Sequence, residues 1–570
     1  EGTPRLAQLR VAIADPRQRL SRDVSELYQL QVRRVADLPA GADAGLADED
    51  YVCLLFADTV FGAVRGLETL SQLIVGRRPR LPPALLEAED FAALEAHVDV
   101  EEDSAAAAAA AAAQMHYVLP GCPLSVRDVP DFAWRGLMLD TARHFQEVDE
   151  ILFQLDVMAW AKMNVLHWHL TDAESFPFES DLFPELREGA WAPDAMYSHE
   201  DIRAVVYYAA DRGIRVVPEF DMPAHSLAWG AGFPGIIVQC EAGGTARHAM
   251  DPTNEQTYRV IDGVLSEAAA LFPDRYVHLG FDEFHLECWQ TPEFLERALA
   301  FREEHSIGPA VDDLLGYFMD RVREMAISRG KTVIVWEEAL VESLIHMPTE
   351  TTAIQAWRGW KGNAFLTALQ NGYDTILSTK WYLDYPDRDW WFFYTVNDNN
   401  LKTALQEHPD RAMGGETCMW GEKVDGSTLQ STIWPRAAVV AEKLWHFNAT
   451  ATQDTVGARL EAWRCRAHQR GLEAAPLFAG YCRLPPARES KALAGSGPQL
   501  APAEPNTIVV YEKATSSFWW LVLGLVAGAA VGVAAHAKRT GKGVSNAVWY
   551  TIGGLFCLLV VSYALARSSV

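Results

Sequence analysis

Basic residues are scarce in this chain of 570 residues. Lysine and arginine number 49 against 76 aspartates and glutamates, which gives a formal net charge of −27 at pH 7. An acidic surface repels nucleic-acid phosphates and has little attraction for anionic lipid headgroups. The balance of charge therefore predicts no nucleic-acid partner.

The sequence also lacks the common signatures of cofactor and nucleophile chemistry. We find no glycine-rich phosphate loop and no serine or cysteine nucleophile elbow. His167 and His169 lie two apart on one strand face, as in metal-dependent barrel hydrolases, but segments 332–339 and 352–357 offer no histidine as a further ligand. We therefore predict neither a metal nor a cofactor.

Charged residues are missing from two long apolar runs near the C-terminus, residues 518–535 and 548–566. A membrane-spanning helix needs about 20 such residues. The segment between them carries Lys538, Arg539 and Lys542, which favours a cytosolic loop and places the preceding chain on the luminal or extracellular side. We predict two transmembrane helices; a buried helical hairpin and a removable lipid-anchor signal are the alternatives.

The remaining composition is that of a globular protein. Hydrophobic residues make up 49% and charged residues 22% of the chain, which is long enough for two or three domains. Residues 484–506 are rich in proline, alanine, glycine and serine, as in a stalk, and the alanine run 105–113 resembles a low-complexity insertion. The predicted parts are a small α+β domain at 1–130, a larger domain at 131–483, a stalk at 484–516 and a membrane segment at 517–570.

Short apolar runs alternate with amphipathic helical patterns across residues 131–483. The eight strand-like runs lie at 135–142, 164–172, 214–222, 276–283, 332–339, 352–357, 374–383 and 414–422. Eight strands with intervening helices predict an α/β fold of the (β/α)8 TIM-barrel class. Such a barrel carries its chemistry at the C-terminal ends of its strands.

The predicted strand ends are rich in carboxylates and tryptophans. Carboxylates and arginine suit sugar hydroxyls, and an indole face suits the apolar face of a sugar ring. The pattern therefore indicates a carbohydrate site. The residues at these ends are Asp140, Arg143, Asp172, Asp221, His225, Asp282, Glu283, Trp336, Glu337, Trp357, Tyr382, Asp384, Trp420 and Glu422.

Several segments together resemble the family-20 glycoside hydrolases, the β-N-acetylhexosaminidases, and are most similar to the eukaryotic lysosomal type. The resemblance runs from about Val52 to about Cys482 in matching order. It implies hydrolysis of a terminal, non-reducing β-linked GlcNAc or GalNAc. The segments are RGLMLDTARHF, HWHLTDAESFPFES, GIRVVPEFDMPAHS, HLGFDE, CMWGEKVD and WPRAAVVAEKLW.

The resemblance also implies the catalytic roles. In this family the 2-acetamido oxygen of the substrate attacks C1 through a retaining, oxazolinium mechanism, so no enzyme nucleophile is needed. Glu283 corresponds to the general acid and later base, and Asp282 to the acceptor of the acetamide N–H. Tyr382 is similar to the tyrosine that bonds the acetamido oxygen, while Asp172 and His225 match positions that support the acid.

Further positions match the substrate-binding residues of the family. Arg135 and Glu422 resemble the pair that grips ring hydroxyls, and Asp221 lies beside the supporting residues. Asp384 follows WYL as in subunits that prefer neutral sugars. An N-glycan, a glycolipid or a chitooligosaccharide remains open as the substrate, and a homodimer remains open as the assembly. The pocket walls correspond to Trp336, Trp357 and Trp420.

Two departures from the family pattern leave a second function open. The usual Gly-Gly-Asp-Glu is here Gly280-Phe281-Asp282-Glu283, and Ala173 replaces an aspartate. Strict alternation would turn Phe281 towards the helices and Asp282 towards the lumen. The alternative is an inactive, membrane-anchored glycan-binding protein.

The cysteines and a sequon fit a luminal or extracellular catalytic domain, as in a lysosome, vacuole, Golgi or cell-surface membrane protein. By resemblance, Cys240 pairs with Cys288 and Cys465 pairs with Cys482. Asn448-Ala449-Thr450 is a glycosylation sequon, which makes Asn448 a predicted glycan acceptor.

Overall fold

The computed structural model describes residues 5–39, 46–77, 116–238, 248–284, 286–341, 347–359, 362–482 and 508–510. Within these residues, no helix is both long and apolar enough to cross a membrane. The two predicted transmembrane helices, the alanine run and nearly all of the predicted stalk lie outside them.

From residue 134 to residue 419, eight of the strands alternate with helices, as predicted for a barrel. In chain order the described strands are β1 (Leu6–Asp15), β2 (Tyr28–Arg34), β3 (Tyr51–Thr59), β4 (Val75–Arg77), β5 (His116–Leu119), β6 (Leu124–Asp128), β7 (Trp134–Asp140), β8 (Val165–Thr171), β9 (Arg215–Met222), β10 (Ile237–Val238), β11 (Ala249–Met250), β12 (Tyr276–Gly280), β13 (Thr332–Trp336), β14 (Thr352–Ala356), β15 (Asp374–Leu377), β16 (Ala412–Met419) and β17 (Ile508–Val510).

Most of the longer helices bury one apolar face against the sheets, as their sequence pattern predicts. The described helices are α1 (Val60–Leu73), α2 (Val148–Trp160), α3 (His199–Asp211), α4 (Trp229–Gly232), α5 (Glu255–Leu271), α6 (Pro292–His305), α7 (Val311–Ser328), α8 (Glu338–Val341), α9 (Ala364–Gln370), α10 (Trp390–Thr395), α11 (Asp398–Glu407), α12 (Leu429–Ile433), α13 (Arg436–Trp445) and α14 (Gln453–Gln469).

The chain forms two compact units. The smaller comprises Glu1–Leu6, Ile74–Cys122 and Ala503–Val570, and its described strands form an antiparallel sheet in the order β17-β5-β4. The larger comprises Ala7–Leu73 and Pro123–Pro502 and contains all predicted site residues within its span.

The larger unit begins with a four-stranded sheet in the order β1-β3-β2-β6. Strand β2 pairs antiparallel with both β3 and β6. Helix α1 packs on this sheet, and Gly66 allows the approach because a Cβ there would lie 2.4 Å from Leu55 Cδ1. The predicted α+β element before the barrel is therefore confirmed.

The eight strands β7, β8, β9, β12, β13, β14, β15 and β16 close into one barrel, and every neighbouring pair is parallel. Each is covered by helices outside and by lumen side chains inside, so their residues are buried on both faces. These strands coincide with the eight predicted runs, and the (β/α)8 fold is confirmed.

The bottom of the barrel lumen is apolar and filled. One buried side chain from each strand contributes to a single cluster. A filled floor makes the lumen a packed core. The eight residues are Trp134, Val165, Val217, Tyr276, Ile334, Ala353, Ile376 and Met413.

The predicted substrate role of Arg135 is wrong. Arg135 is the second residue of β7, and parallel strands present their N-terminal residues at the end of a barrel opposite the catalytic mouth. Its guanidinium is fully buried and donates to Glu26 Oε2 at 2.5 Å, while Arg65 donates to the other oxygen at 2.7 Å. Arg135 therefore joins the N-terminal sheet to the base of the barrel.

Candidate active site

The carboxylate pair lies directly after β12, on an unusual backbone. Gly280, Phe281 and Glu283 have φ values of +70°, +66° and +45°. Gly280 is required because a Cβ there would lie 1.7 Å from Asp221 Oδ1. Phe281 packs into the outer hydrophobic core, while Asp282 is 7% exposed and Glu283 has a side chain 51% exposed.

A hydrogen-bonded dyad supports Glu283. His225, which follows β9, has its Nε2 atom 3.5 Å from Glu283 Oε2. Its Nδ1 atom lies 3.2 Å from Oδ1 of Asp172, which follows β8. Three neighbouring barrel strands therefore bring Glu283, His225 and Asp172 together.

Arg143 provides the arginine at the mouth that the role assignment missed. It follows β7 and contacts Asp172 Oδ2 at 2.7 Å, Asp140 Oδ2 at 3.2 Å and Glu174 Oε2 at 3.1 Å. Its guanidinium carbon stands 5.1 Å from the ring centre of Trp420. The predicted strand ends included Arg143. Arg143 follows the end of β7, whereas Arg135 lies near the start of the same strand.

Aromatic side chains enclose the opposite wall. The rings of Trp357 and Tyr382 stack with centroids 5.9 Å apart, and Tyr382 lies 6.2 Å from Trp420. Trp336 lies 6.1 Å from Trp420 and is almost fully buried. These four rings pack around Cys418 in one cluster, so the predicted pocket walls are brought together.

The electrostatics of the pair depend on burial. Burial raises the pKa of Asp282 to about 6, since the charges of Glu219 and Glu283 reinforce it and the lowering effect of His225 is smaller. Burial and the adjacent Asp282 also raise the pKa of Asp221 well above its ordinary value. Burial would raise the pKa of Asp172 too, but Arg143 and His225 outweigh it and hold that pKa well below the usual range.

Glu338 is a site residue that the sequence analysis did not select. It is the first residue of α8, directly beyond β13, and accepts a hydrogen bond from Trp357 Nε1 at 3.0 Å. Burial, followed by the charge of Asp282, raises the pKa of Glu338 to about 8. The available signal was the strand-end motif Trp336-Glu337-Glu338, in which the second glutamate faces the site and Glu337 binds Arg358.

Asp384 and Glu422 lie at the rim of the site. Asp384 is half-buried, and burial raises its pKa to about 6. Glu422 is exposed and lies close enough to Arg143 to help raise the pKa of that guanidinium. Two carboxylates therefore stand at the rim, with the guanidinium of Arg143 recessed behind Glu422.

Several histidine and carboxylate groups have the chemistry of metal ligands. One buried set is His167, Glu219 and His278, whose candidate ligand atoms lie within 4.8 Å of one another. In the structure these atoms pair directly, since Glu219 lies 3.0 Å from His167 Nε2 and 2.9 Å from His278 Nδ1. The set is thus arranged as an ion-paired network.

The two predicted disulfides fare differently. Cys465 in α14 is bonded to Cys482, with an S–S distance of 1.98 Å. The predicted bond from Cys288 reaches Cys240, which lies outside the described residues. Asn448 is exposed, and its Oδ1 accepts hydrogen bonds from the backbone N–H and hydroxyl of Thr450.

A filled barrel with a carboxylate pair, an arginine and four aromatic rings at its mouth has the features of a glycoside hydrolase. The chain belongs to glycosyl hydrolase family 20, whose catalytic-domain model matches residues 132–448. A second model, described as beta-acetyl hexosaminidase like, matches residues 1–73. The chain is therefore a glycoside hydrolase of the β-N-acetylhexosaminidase type.

Relatives support the same assignment. The chain is 33% identical to beta-hexosaminidase subunit beta of Mus musculus over 80% of this chain and 79% of the relative, and 35% identical to subunit alpha of Bos taurus over 77% of each. Among solved structures it is similar to a Flavobacterium johnsoniae chitobiase, with a TM-score of 0.63 and 28% identity. That match covers 81% of this chain and 63% of the chitobiase chain.

Proposed function

We propose that this protein is an exo-β-N-acetylhexosaminidase that removes terminal β-linked GlcNAc or GalNAc with retention of configuration. The observation that carries the proposal is the placement of the carboxylate pair. Asp282 is buried in the lumen beside the aromatic walls, and Glu283 is half-exposed at the same strand end. One carboxylate can hold a substrate group inside the pocket while its neighbour exchanges protons at the opening.

In the first step Asp282 accepts the acetamide N–H, and the acetamido oxygen attacks C1. Glu283 donates its proton to the leaving glycosidic oxygen, and an oxazolinium forms. In the second step Glu283 takes a proton from water, which attacks C1 and reopens the ring. Two displacements at C1 return the original configuration.

The surrounding groups hold the sugar for this chemistry. Arg143 replaces Arg135 as the partner of the ring hydroxyls, because its guanidinium lies at the mouth with Asp172 and Asp140 fixing its plane. Tyr382 donates to the acetamido oxygen, and the indoles of Trp336 and Trp420 exclude water from the intermediate.

An inactive glycan-binding protein is the competing function. A binding protein has no need of an acid beside an acetamide acceptor, and this site retains both with their His225–Asp172 support. The test is release of 4-nitrophenol from the β-GlcNAc and β-GalNAc glycosides by the full chain in detergent, beside a Glu283→Gln variant. Turnover that collapses in the variant supports the hydrolase. Binding of GlcNAc without any turnover would favour the binding protein.

A cavity beside the pocket suits the leaving sugar. Its volume is about 410 Å³, and it shares the walls Trp357 and Tyr382 with the catalytic site. Lys380, Arg388 and Phe392 complete much of its lining. The basic side chains of Lys380 and Arg388 could bind an acidic aglycone, whereas Asp384 favours neutral sugars, so competition between neutral and acidic aglycones tests the expected preference. Comparison of an N-glycan, a glycolipid and a chitooligosaccharide as substrates tests the glycan class.

We also propose that the catalytic domain is luminal or extracellular and anchored by residues 518–535 and 548–566. The uncharged runs, the Cys465–Cys482 disulfide and the exposed Asn448 support this location. Retention of the protein in carbonate-extracted membranes would support the anchor. A change in gel mobility on endoglycosidase treatment, lost in the Asn448→Gln variant, would show that Asn448 carries a glycan and therefore lies on the luminal or extracellular side. We propose a homodimer because the relatives are named as subunits of beta-hexosaminidase. Sedimentation in detergent tests this assembly.

A further inference from the structure

A chain of alternating carboxylates and imidazoles extends from the lumen to the proposed acid. We call it the carboxylate–imidazole chain. Each member contacts the next, and six of the seven are buried. Its members, in spatial order, are Glu416, His167, Glu219, His169, Asp172, His225 and Glu283.

The lower half of this chain is closely packed. His167 Nδ1 lies 2.7 Å from Glu416 Oε1, and its Nε2 lies 3.0 Å from Glu219 Oε2. The same Glu219 oxygen lies 2.5 Å from His169 Nδ1, whose Nε2 lies 3.0 Å from Asp172 Oδ2. Both nitrogens of His169 are therefore hydrogen-bonded to carboxylates, and both nitrogens of His167 lie within 3.0 Å of a carboxylate oxygen.

This geometry favours imidazolium rings. A neutral imidazole donates from one nitrogen only, so its other nitrogen would direct a lone pair at a carboxylate oxygen. Burial disfavours the charge, but Glu416 and Glu219 outweigh it and raise the pKa of His167 to about 9. Glu219 and Asp172 outweigh burial in the same way and raise the pKa of His169 well above its ordinary value.

Glu219 is the member that connects the chain to the pocket. Its Oε1 atom accepts a hydrogen bond from Trp336 Nε1 at 2.9 Å, and Trp336 is a wall of the pocket. Its side chain is fully buried, and no described contact gives it access to a sugar. One carboxylate thus restrains both an aromatic wall and the imidazole that supports Asp172.

We infer that Glu219 is a positioning residue for the hydrolysis. This inference rests on the function proposed above. Its carboxylate fixes the ring of His169, and that ring fixes Asp172. Asp172 then presents His225 to the acid. The negative charge of Glu219 also helps to raise the pKa of Asp282.

The other titratable and charged groups around the chain come from β7, β8, β9 and β12 and from the segments that follow these strands. Arg143 and Asp140 flank Asp172 and His169 after β7, and burial lowers the pKa of His278 on β12 despite the charge of Glu219. Uncharged Gln355 on β14 donates to Glu416 at 2.8 Å. The remaining acidic neighbours are Glu174 after β8, Asp221 near the end of β9 and Asp282 after β12.

The test is a Glu219→Gln variant of the full chain, which keeps the shape of the side chain and removes its charge. We expect kcat to fall about tenfold or more with KM within about twofold, because the acid is misoriented and substrate contacts remain. We also expect the acidic limb of the kcat/KM profile to move to lower pH, because one charge that raises the pKa of Asp282 is lost. A purely structural role would not move this limb.

Asp274→Asn is the matched control. Asp274 is also a carboxylate with a side chain only 6% exposed, paired at 3.3 Å with Arg215, but it precedes β12 at the base of the barrel. It should leave kcat and the pH profile unchanged. Unchanged kcat and pH profile in a folded Glu219→Gln, or an effect confined to KM, would overturn the inference.

A second measurement applies if Glu219→Gln does not fold. In the wild-type chain labelled with ¹⁵N-histidine, the ring of His169 should be hydrogen-bonded at both nitrogens at pH 7, because Glu219 and Asp172 lie at them; a His169 ring without a hydrogen bond at the nitrogen that faces Glu219 would overturn the inference. Wild-type release of 4-nitrophenol is scored separately. If the wild-type protein releases no 4-nitrophenol, the proposed function is rejected. The ¹⁵N spectra then report independently on the carboxylate–imidazole chain.

Discussion

Replacing Asp282 with asparagine should make this protein less active and more stable. The folded protein raises the pKa of Asp282 from 3.8 to about 6, chiefly through burial. Each pKa unit corresponds to about 1.4 kcal/mol, so ionised Asp282 disfavours the folded state by about 3 kcal/mol. Asparagine is close in shape and carries no charge. The variant therefore avoids this cost.

The sign and the pH window follow from the two pKa values. Between pH 3.8 and about 6 the unfolded chain has released the Asp282 proton while the folded protein still holds it. The folded state binds more protons there, so the wild type loses stability as the pH rises through this window. The advantage of Asp282→Asn is absent below the window and complete above it. Asp221 acts with the same sign from the same lower limit, because its pKa is also raised well above its ordinary value, but this carboxyl is present in both proteins that are compared.

The assay is urea unfolding of wild type and Asp282→Asn from pH 4 to pH 7.5. We expect the difference in unfolding free energy to grow towards about 3 kcal/mol above pH 6, while kcat falls roughly 100-fold because the acetamide loses its charged acceptor. Glu303→Gln, which changes an exposed carboxylate of α6, serves as the control and should leave both stability and kcat unchanged. A stability difference that does not change with pH would refute the reasoning, since the burial of a charge could not then be its source.

Three further predictions concern the rest of the barrel. Arg143→Lys should raise KM for the nitrophenyl glycosides about tenfold, because a lysine cannot form the same fork with ring hydroxyls; an unchanged KM would remove Arg143 from the site. Arg135→Lys should leave KM unchanged but lower the urea midpoint, because it loosens the buried pair with Glu26; a KM effect would restore its substrate role. Cys482→Ser opens a disulfide loop with a sequence separation of 17 residues and should cost about 3 kcal/mol of stability, measured by urea unfolding with and without reductant.

The barrel could be predicted because its strands are chemically distinct from everything around them. Parallel strands buried on both faces read as short continuous apolar runs, and amphipathic helices between them read with a different period. The strand ends then follow, so the grouping of Asp172, His225 and Glu283 was predictable without knowing any distance. Periodicity is local, and these residues come together because the barrel closes.

The error over Arg135 has a physical source. Arg135 lies near the start of β7 and Arg143 lies just after its end. The two ends of this seven-residue strand are about 20 Å apart. A motif spanning the strand does not by itself say which arginine reaches the mouth. Glu26 decides the matter, since it offers Arg135 a buried partner at the base, and no local pattern predicts a pair separated by 109 residues.

The carboxylate–imidazole chain was hidden for a similar reason. His167 and His169 lie two apart, which suggested a metal pair, but their partners Glu219 and Glu416 come from strands that only the closed barrel brings adjacent. Sequence spacing identified the candidates for a metal site. The direct pairing of their nitrogen and oxygen atoms identifies ion pairs instead.

The packing of Phe281 fixes the directions in which the two carboxylates point at this strand end. An aromatic residue at φ +66° is strained, yet its side chain is 1% exposed in the outer core, close to Phe318 of α7. Burial of a phenylalanine contributes about 2 to 3 kcal/mol, which offsets strain of about 1 to 3 kcal/mol. With Phe281 held outward, Asp282 must enter the lumen and Glu283 must turn towards His225. The departure from the usual glycine therefore anchors the carboxylate pair.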